Sequence, residues 1–369
     1  MKLRRMLAVV QKELRQLRRD RVTLAMIVGV PVMQLVLFGY AINFTLRGLS
    51  AGISDEANSA GSRALVMDML ATGVVAPVMD VRTPQELMAA IRRGRINVGI
   101  VIPQDFERRR IDGHEVAQIL VDGTDTAVQG AAAQLAQVPL DSAMASREVP
   151  FASTPSQPPI SVVAFYNPER RSAVSIVPGL IGVILTMTMV MFTSIAIVRE
   201  RERGNMEMLI ATPLSRSELM IGKVLPYVAI GLIQTTVVLA LGVWLFQVPV
   251  RGSVFDVYIA AVLLILANLT LGLLISTKAQ SQFQAMQMTF FVFLPSILLS
   301  GFMFPFAGMP KIIQWLAELL PLTHFLRLIR GVMLRGAHLT ELWPDVLALL
   351  AFTAVMMTLA ISRFRKRLD

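Results

Sequence analysis

The chain has no cysteine among its 369 residues. That excludes disulfides, thiolate metal sites and cysteine nucleophiles, and any domain outside a membrane must be held by packing alone. Charge is also sparse, with Asp, Glu, Lys and Arg at 16%, against about 25% in ordinary soluble domains. Histidine occurs three times. His114 stands beside Glu115, but no second histidine completes His-Glu-x-x-His, so that zinc signature is missing. The phosphate-cradling loop Gly-x-x-x-x-Gly-Lys-[Ser/Thr] is missing too. Gly222-Lys223 lacks both the upstream glycine and the following hydroxyl residue. ATP used by this protein must therefore be held by another subunit.

What remains is strongly apolar. Hydrophobic residues make up 54% and the mean hydropathy is +0.62. The excess lies in long uncharged windows, as in a polytopic membrane protein. Six windows approach the length a helix needs to cross a bilayer, at 22–46, 173–198, 224–246, 257–277, 285–305 and 345–362. The net charge of +10 flanks these windows rather than forming one patch, which argues topology rather than nucleic acid. Residues 1–21, the loop 199–223 and the tail 363–369 are basic. Six spans put all three on one side, so the positive-inside rule places both termini in the cytoplasm. Within residues 1–21, Leu3, Leu7, Val10, Leu14 and Leu17 recur at helical spacing. They suit an amphipathic helix lying in the interface, or a plain basic anchor for topology.

Between the first two spans lie residues 47–172, long enough for one small domain. Val74–Val81, Ile96–Ile102 and Val116–Val121 read as strands. Helices alternate with them over Pro84–Arg95, Gln104–Ile111 and Thr126–Ala136. Thr83 suits an N-cap with Pro84 in the first turn, and Asp112-Gly113 a stop. Alternating elements predict an inserted α/β domain on the outer side. Pro and Ser over 150–159 read as a linker, and Tyr166-Asn167-Pro168 turns the chain into the second span.

The loop 199–223 carries more than a connector needs. Met206, Leu209, Ile210 and Leu214 fall at roughly helical spacing before and after Thr212-Pro213, the pattern of a short helix offering one face to a partner. From Glu200 to Pro213 it resembles the cytoplasmic coupling segment of type-2 ABC transporter permeases, Glu-Arg-Glu-x-Gly-Thr-x-Glu-x-Leu-x-x-Thr-Pro, with Asn205 where threonine is usual. Ile100-Val101-Ile102-Pro103-Gln104-Asp105-Phe106, Val121-Asp122-Gly123-Thr124 and Pro321-Leu322-Thr323-His324-Phe325 resemble the subset with a large periplasmic insert.

The resemblance covers nearly the whole chain. It implies the membrane subunit of an exporter, possessing no cofactor itself, with ATP and Mg on separate ABC ATPase subunits. The chain would sit in the lipid bilayer of a bacterial inner membrane and pair with a second copy or a homologous permease. A periplasmic membrane-fusion adaptor would dock on the outer domain, and the cargo would be drug-like or amphiphilic. Coupling to the ATPase would fall to Glu200, Glu202, Arg203, Gly204, Met206, Glu207, Leu209, Thr212 and Pro213.

In such exporters the second and fifth spans line the route. Thr186, Met187 and Met191 on the second and Gln284, Gln287 and Met288 on the fifth are the matching candidates here. Methionine adapts to varied apolar ligands, but the amides and threonines equally suit helix–helix bonding. The stretch 306–341 reads as an outer hairpin, a helix or re-entrant pair at the surface, with Trp315 and Lys311 suited to an interface. There His324 suits an outer gate, or a polar side chain satisfying backbone at a turn.

Three other readings compete. A sensor with an outer ligand domain would need a cytoplasmic output domain, and only seven residues follow the last window. An ion-coupled secondary transporter would need intramembrane charge, which the windows almost lack. A membrane-embedded enzyme would need a catalytic cluster, and none is apparent.

Overall fold

A computed structural model describes residues 48–81, 83–136, 160–169, 171–202 and 216–363. The amphipathic stretch 1–21, the window 22–46, the linker 150–159 and residues 364–369 of the tail lie outside them.

The first unit is built on a five-stranded mixed sheet. In chain order it runs β1 (Leu49–Asp55), α1 (Ala60–Ala71), β2 (Val75–Asp80), α2 (Pro84–Arg92), β3 (Val98–Ile102), α3 (Phe106–Asp112), β4 (Ala117–Asp122), α4 (Thr126–Leu135) and β5 (Ile160–Phe165). The strand order is β2-β1-β3-β4-β5. Only the β3–β4 pair is antiparallel; the other three pairs are parallel. Alternation along the strands sorts the core into two faces. Val98, Ile100 and Ile102 join Ala117, Ile119 and Val121 beneath α1, α3 and α4. Val101 and Leu120 turn the other way, onto Leu87, Ala90 and Ile91 of α2.

Local signals start and stop the helices as the sequence predicts. The Thr83 hydroxyl accepts from Glu86 N, and Gly113 ends α3 at φ 69°. Three elements escape the sequence pattern, namely β1, α1 and β5. Strand β1 reads Leu-Ser-Ala-Gly-Ile-Ser-Asp, poor in the branched residues strands favour, yet it is paired on both sides. A Cβ at Gly52 would stand 2.5 Å from Leu87 Cδ2 and 2.9 Å from Ile96 Cδ1. The bare glycine is thus what lets α2 approach the sheet.

The second unit is helical. It comprises α5 (Ser172–Glu202), α6 (Arg216–Trp244), α7 (Val254–Ser276), α8 (Gln282–Leu299), α9 (Lys311–Glu318), α10 (Pro321–Met333) and α11 (Trp343–Arg363). Among the described residues five helices are long and apolar enough to cross a membrane, or six if the pair α9–α10, bent by 86°, counts as one broken span. The chain is thus a polytopic, mainly helical membrane protein. The window placed at 285–305 needs correcting, because α8 stops at Leu299. The chain then turns through Gly301 at φ 87°, which only glycine adopts easily.

Helix α7 is the hub, with 72% of its apolar window buried inside the chain, against 11% for α11. Its Gly272 meets α5 closely, and a Cβ there would stand 2.8 Å from Val190 O. The bent pair α9–α10 fits the re-entrant alternative expected over 306–341, but α10 is not at the surface. Leu322, Phe325, Leu328, Ile329 and Val332 are fully buried in the helical core. Only α9 lies outside, with Ile312, Trp315, Leu316 and Leu319 exposed.

Candidate functional site

Two polar joints stand out, one at each end of α5. At its C-terminal end, basic and acidic side chains reach the turn between α7 and α8. Arg201 donates to Ser276 O at 2.5 Å and Ala279 O at 3.1 Å. Glu202 accepts from Gln282 N at 2.9 Å and from Gln282 Nε2 at 2.5 Å. The cation sits on free carbonyls at the end of α7 and the anion on a free amide at the start of α8. Each charge therefore matches the helix dipole it meets. Beneath them Val198 packs on Ala279 and Ala285. Ser281 caps α8 by accepting from Gln284 N at 3.2 Å, and Gln284 Oε1 accepts from Gln280 N at 2.5 Å.

This is where the coupling segment begins. Glu200 and Glu202 belong to the last turn of α5. Arg203, Gly204, Met206, Glu207, Leu209, Thr212 and Pro213 lie outside the described residues. Glu202, expected at a partner's surface, has its carboxylate on Gln282 of the same chain. Arg201, not singled out from the sequence, is the other half of the clip. Its signal was present in the alternating Arg-Glu-Arg-Glu-Arg run, but which charges turn inward depends on the neighbouring helices.

The pathway candidates divide by burial. Thr186 is buried and accepts from Asn268 Nδ2 at 3.1 Å, tying α5 to α7. Gln284 is buried in the cap just described. Met187, Met191, Gln287 and Met288 are half-buried. Met288 packs against the Val198–Ala285 cluster, and the buried Gln287 Oε1 has no hydrogen-bond partner among the described residues. Further polar bonds bind α5 to its neighbours, through Thr188 to Gln234 on α6 at 2.9 Å and Ser194 to Thr289 on α8 at 3.3 Å. Such bonds suit helices that cannot rely on the hydrophobic effect between them.

At the other end the helices meet the sheet unit. His324 is buried. Its Nδ1 is 2.7 Å from Asp345 Oδ1 and its Nε2 is 2.8 Å from Glu318 O. Arg327 bridges Glu318 at 2.5 Å and approaches Asp345 at 3.5 Å, with its guanidinium 4.6 Å over the Phe306 ring. His324 thus locks α9, α10 and α11 together and occupies both ring nitrogens doing so. Asp345, the first residue of the window 345–362, was not singled out from the sequence.

Three contacts then cross to the sheet unit. Arg335 pairs with Asp122 at 3.4 Å, both side chains 8% exposed. Arg92 and Arg93 pair with Glu341 at 2.9 and 3.6 Å. Arg251 donates to Tyr166 O at 3.3 Å and covers its ring at 5.4 Å. Tyr166 turns the chain from β5 toward α5 at φ 69°, and burial pushes its phenol above the usual pKa. Asn167 then accepts from Arg171 N at 2.9 Å.

Among the described residues no group of three or more His, Asp or Glu could hold a metal ion. Compared with known proteins, residues 21–362 match the family described as ABC-2 family transporter protein. The chain is 33% identical over 378 residues to the probable multidrug ABC transporter permease YbhS of Escherichia coli strain K12, covering 99% of this chain and 98% of that protein. It is 30% identical over 366 residues to the probable multidrug ABC transporter permease YbhR of the same strain, covering 98% and 99%. The inner membrane transport permease YhhJ of that strain is 28% identical over 361 residues, covering 96% and 95%.

Proposed function

The chain belongs to the ABC-2 transporter family and is a transmembrane permease of an ABC transporter, and from this premise we propose that it is the pathway-forming subunit of an ATP-driven exporter. Members of this family work with ABC ATPase subunits. Here ATP and Mg would be bound and spent on those subunits, with no cofactor held by this chain. Two permeases, identical or homologous, would form the route between their second and fifth spans. The sheet unit would be inserted between the first two spans on the extracytoplasmic side of a bacterial inner membrane, open to a periplasmic adaptor. Both termini would be cytoplasmic. The names of the relatives and the methionines of α5 and α8 favour an amphiphilic, drug-like cargo.

The observation that carries the reading is the clip at the end of α5. In sequence, residues 203–215 follow directly on Arg201 and Glu202, whose side chains hold the end of α7 and the start of α8. A push on that segment by an ATPase would thereby reach three helices at once. Glu200, Arg203, Gly204, Met206, Glu207, Leu209, Thr212 and Pro213 would make the ATPase contact. Glu202 and Arg201 would pass the displacement inward. Thr186 and Gln284 would hold the helices in register, while Met187, Met191, Gln287 and Met288 would face the route. His324 would set the outer end, as part of the α9–α11 lock.

The test is co-purification. The detergent-solubilised chain should bring down an ABC ATPase, and the complex should hydrolyse ATP. The double variant Arg203→Ala with Glu207→Ala should lose the ATPase while retaining its own unfolding temperature. A wild-type chain that binds no ABC ATPase would sink the proposal.

A further inference from the structure

Both ring nitrogens of His324 face acceptors. Nδ1 lies 2.7 Å from Asp345 Oδ1, and Nε2 lies 2.8 Å from the backbone carbonyl of Glu318. A carbonyl and an ionised carboxylate accept hydrogen bonds and donate none. A neutral imidazole donates from one nitrogen and accepts at the other, whereas the imidazolium donates from both. Either neutral tautomer would therefore set a ring lone pair against an oxygen lone pair at hydrogen-bond distance. Turning the ring over would only put ring carbons at the same two contacts. Arg327 Nη1 also approaches Asp345 Oδ1, at 3.5 Å. Two donors converging on one oxygen is the pattern of a carboxylate that accepts.

The charges lead to the same place. Four ionisable side chains meet here, Glu318 from α9, His324 and Arg327 from α10, and Asp345 from α11. The other helices packed on α10 bring no charge to this group. On α5 the charged residues are confined to its last turn, at 199–202. Helix α7 carries only Asp256, which lies 3.5 Å from His338, and α8 carries none. With a protonated His324 the four sum to zero. With a neutral one they leave a net negative charge on a site where the Asp345 side chain is only 14% exposed. Arg327 is already committed to Glu318, at 2.5 Å. An unbalanced charge in such a place is costly.

We propose that His324 is a proton-binding site, held as the imidazolium, and that this proton ties α9 to α11 through α10. Losing it turns one of the two ring bonds into a repulsive contact. A proton kept by the folded state and not by the unfolded chain makes stability fall as pH rises. The lock is thus firm at neutral pH and weakens in alkaline medium. The proton site goes beyond the exporter reading and does not depend on it. That the proton exchanges with the outer medium rests on the orientation proposed above.

The experiment uses the full chain in neutral detergent, with isotope-labelled ring nitrogens. His114 and His338 are both exposed, and replacing both by Gln leaves His324 as the single histidine. At neutral pH, nitrogen NMR should show a proton on each ring nitrogen and two similar shifts. As the pH is raised the shifts should separate, and the thermal unfolding midpoint should fall with them by a few degrees. In Asp345→Asn an amide N–H can donate to Nδ1, so the ring should show one bare nitrogen already at neutral pH. His324→Gln should unfold at a lower temperature than its parent at neutral pH and lose the pH dependence of the midpoint. One bare ring nitrogen in the single-histidine chain at neutral pH would overturn the proposal, as it would put the proton on Asp345 or nowhere. A midpoint that falls with pH just as steeply in His324→Gln would overturn the lock. The NMR measurement leaves His324 in place, so it decides the proton site even where His324→Gln does not fold.

Discussion

At the Glu202 end of α5, two charged side chains reach across to backbone: carbonyls at the close of α7 and an amide at the opening of α8. At the sheet end, the charges meet one another in a half-buried lattice of Glu318, His324, Arg327 and Asp345, joined across the seam by the buried pair of Arg335 with Asp122. Both joints are polar, yet they respond differently to strain. A helix end offers several adjacent carbonyls or amides, so a charge resting on it can shift without being stranded. A buried ion pair has one partner, and separating it leaves an uncompensated charge in low dielectric. The first joint suits a part that must move when a neighbour pushes. The second suits a part that must hold position.

The contrast can be broken most sharply at the seam. Removing one member of the Arg335–Asp122 pair should cost about 3–5 kcal/mol. Arg335→Met alone should therefore unfold the protein well below the wild-type temperature, and adding Asp122→Asn should recover much of the loss. If the two single losses simply add, the pair is not the unit described here. Within the helical core, Gly272→Ala should cost about 1–3 kcal/mol, because a methyl would press on Val190 O. Its unfolding midpoint in detergent should fall, while Gly130→Ala, with open space around its Cα, should not. Asp345→Asn weakens charge-assisted bonds to His324 and Arg327, worth about 1.5–3 kcal/mol together with their neighbours. Limited proteolysis between α10 and α11 should then quicken. The smallest effect on stability is expected at the other joint. Glu202→Gln should leave the unfolding midpoint unchanged but lower the ATPase activity of the assembled complex. A variant that unfolds early yet couples normally would reverse the assignment of moving and fixed ends.

The legibility of the protein followed the range of the forces involved. Apolar windows, the Thr83 cap and the Gly113 stop depend on residues within a turn or two, and they could be read directly. Strand β1 could not, because Ser50, Gly52 and Ser54 look like loop until β2 and β3 flank them. Strand β5 was hidden in the same way, lying between the linker 150–159 and the turn at Tyr166. The site showed the same division. The Arg-Glu repeat before Gly204 announced a specialised loop, but the inward turn of Arg201 and Glu202 needed the ends of α7 and α8. His324 was visible as an odd polar residue, whereas its partner Asp345 lies 21 residues away. The burial of α10 was equally hidden, since an amphipathic run carries no label for which neighbours cover it.

By itself the sequence determined the class of this protein. Long uncharged windows exclude water-soluble folding, because a backbone in lipid must satisfy its own hydrogen bonds and so becomes helix. It also determined the family resemblance and the absence of a phosphate loop. Only the tertiary structure decided which charges are paired and which helix is the hub. Those outcomes depend on groups far apart in the chain meeting in low dielectric, where a charge must find its partner to stay buried.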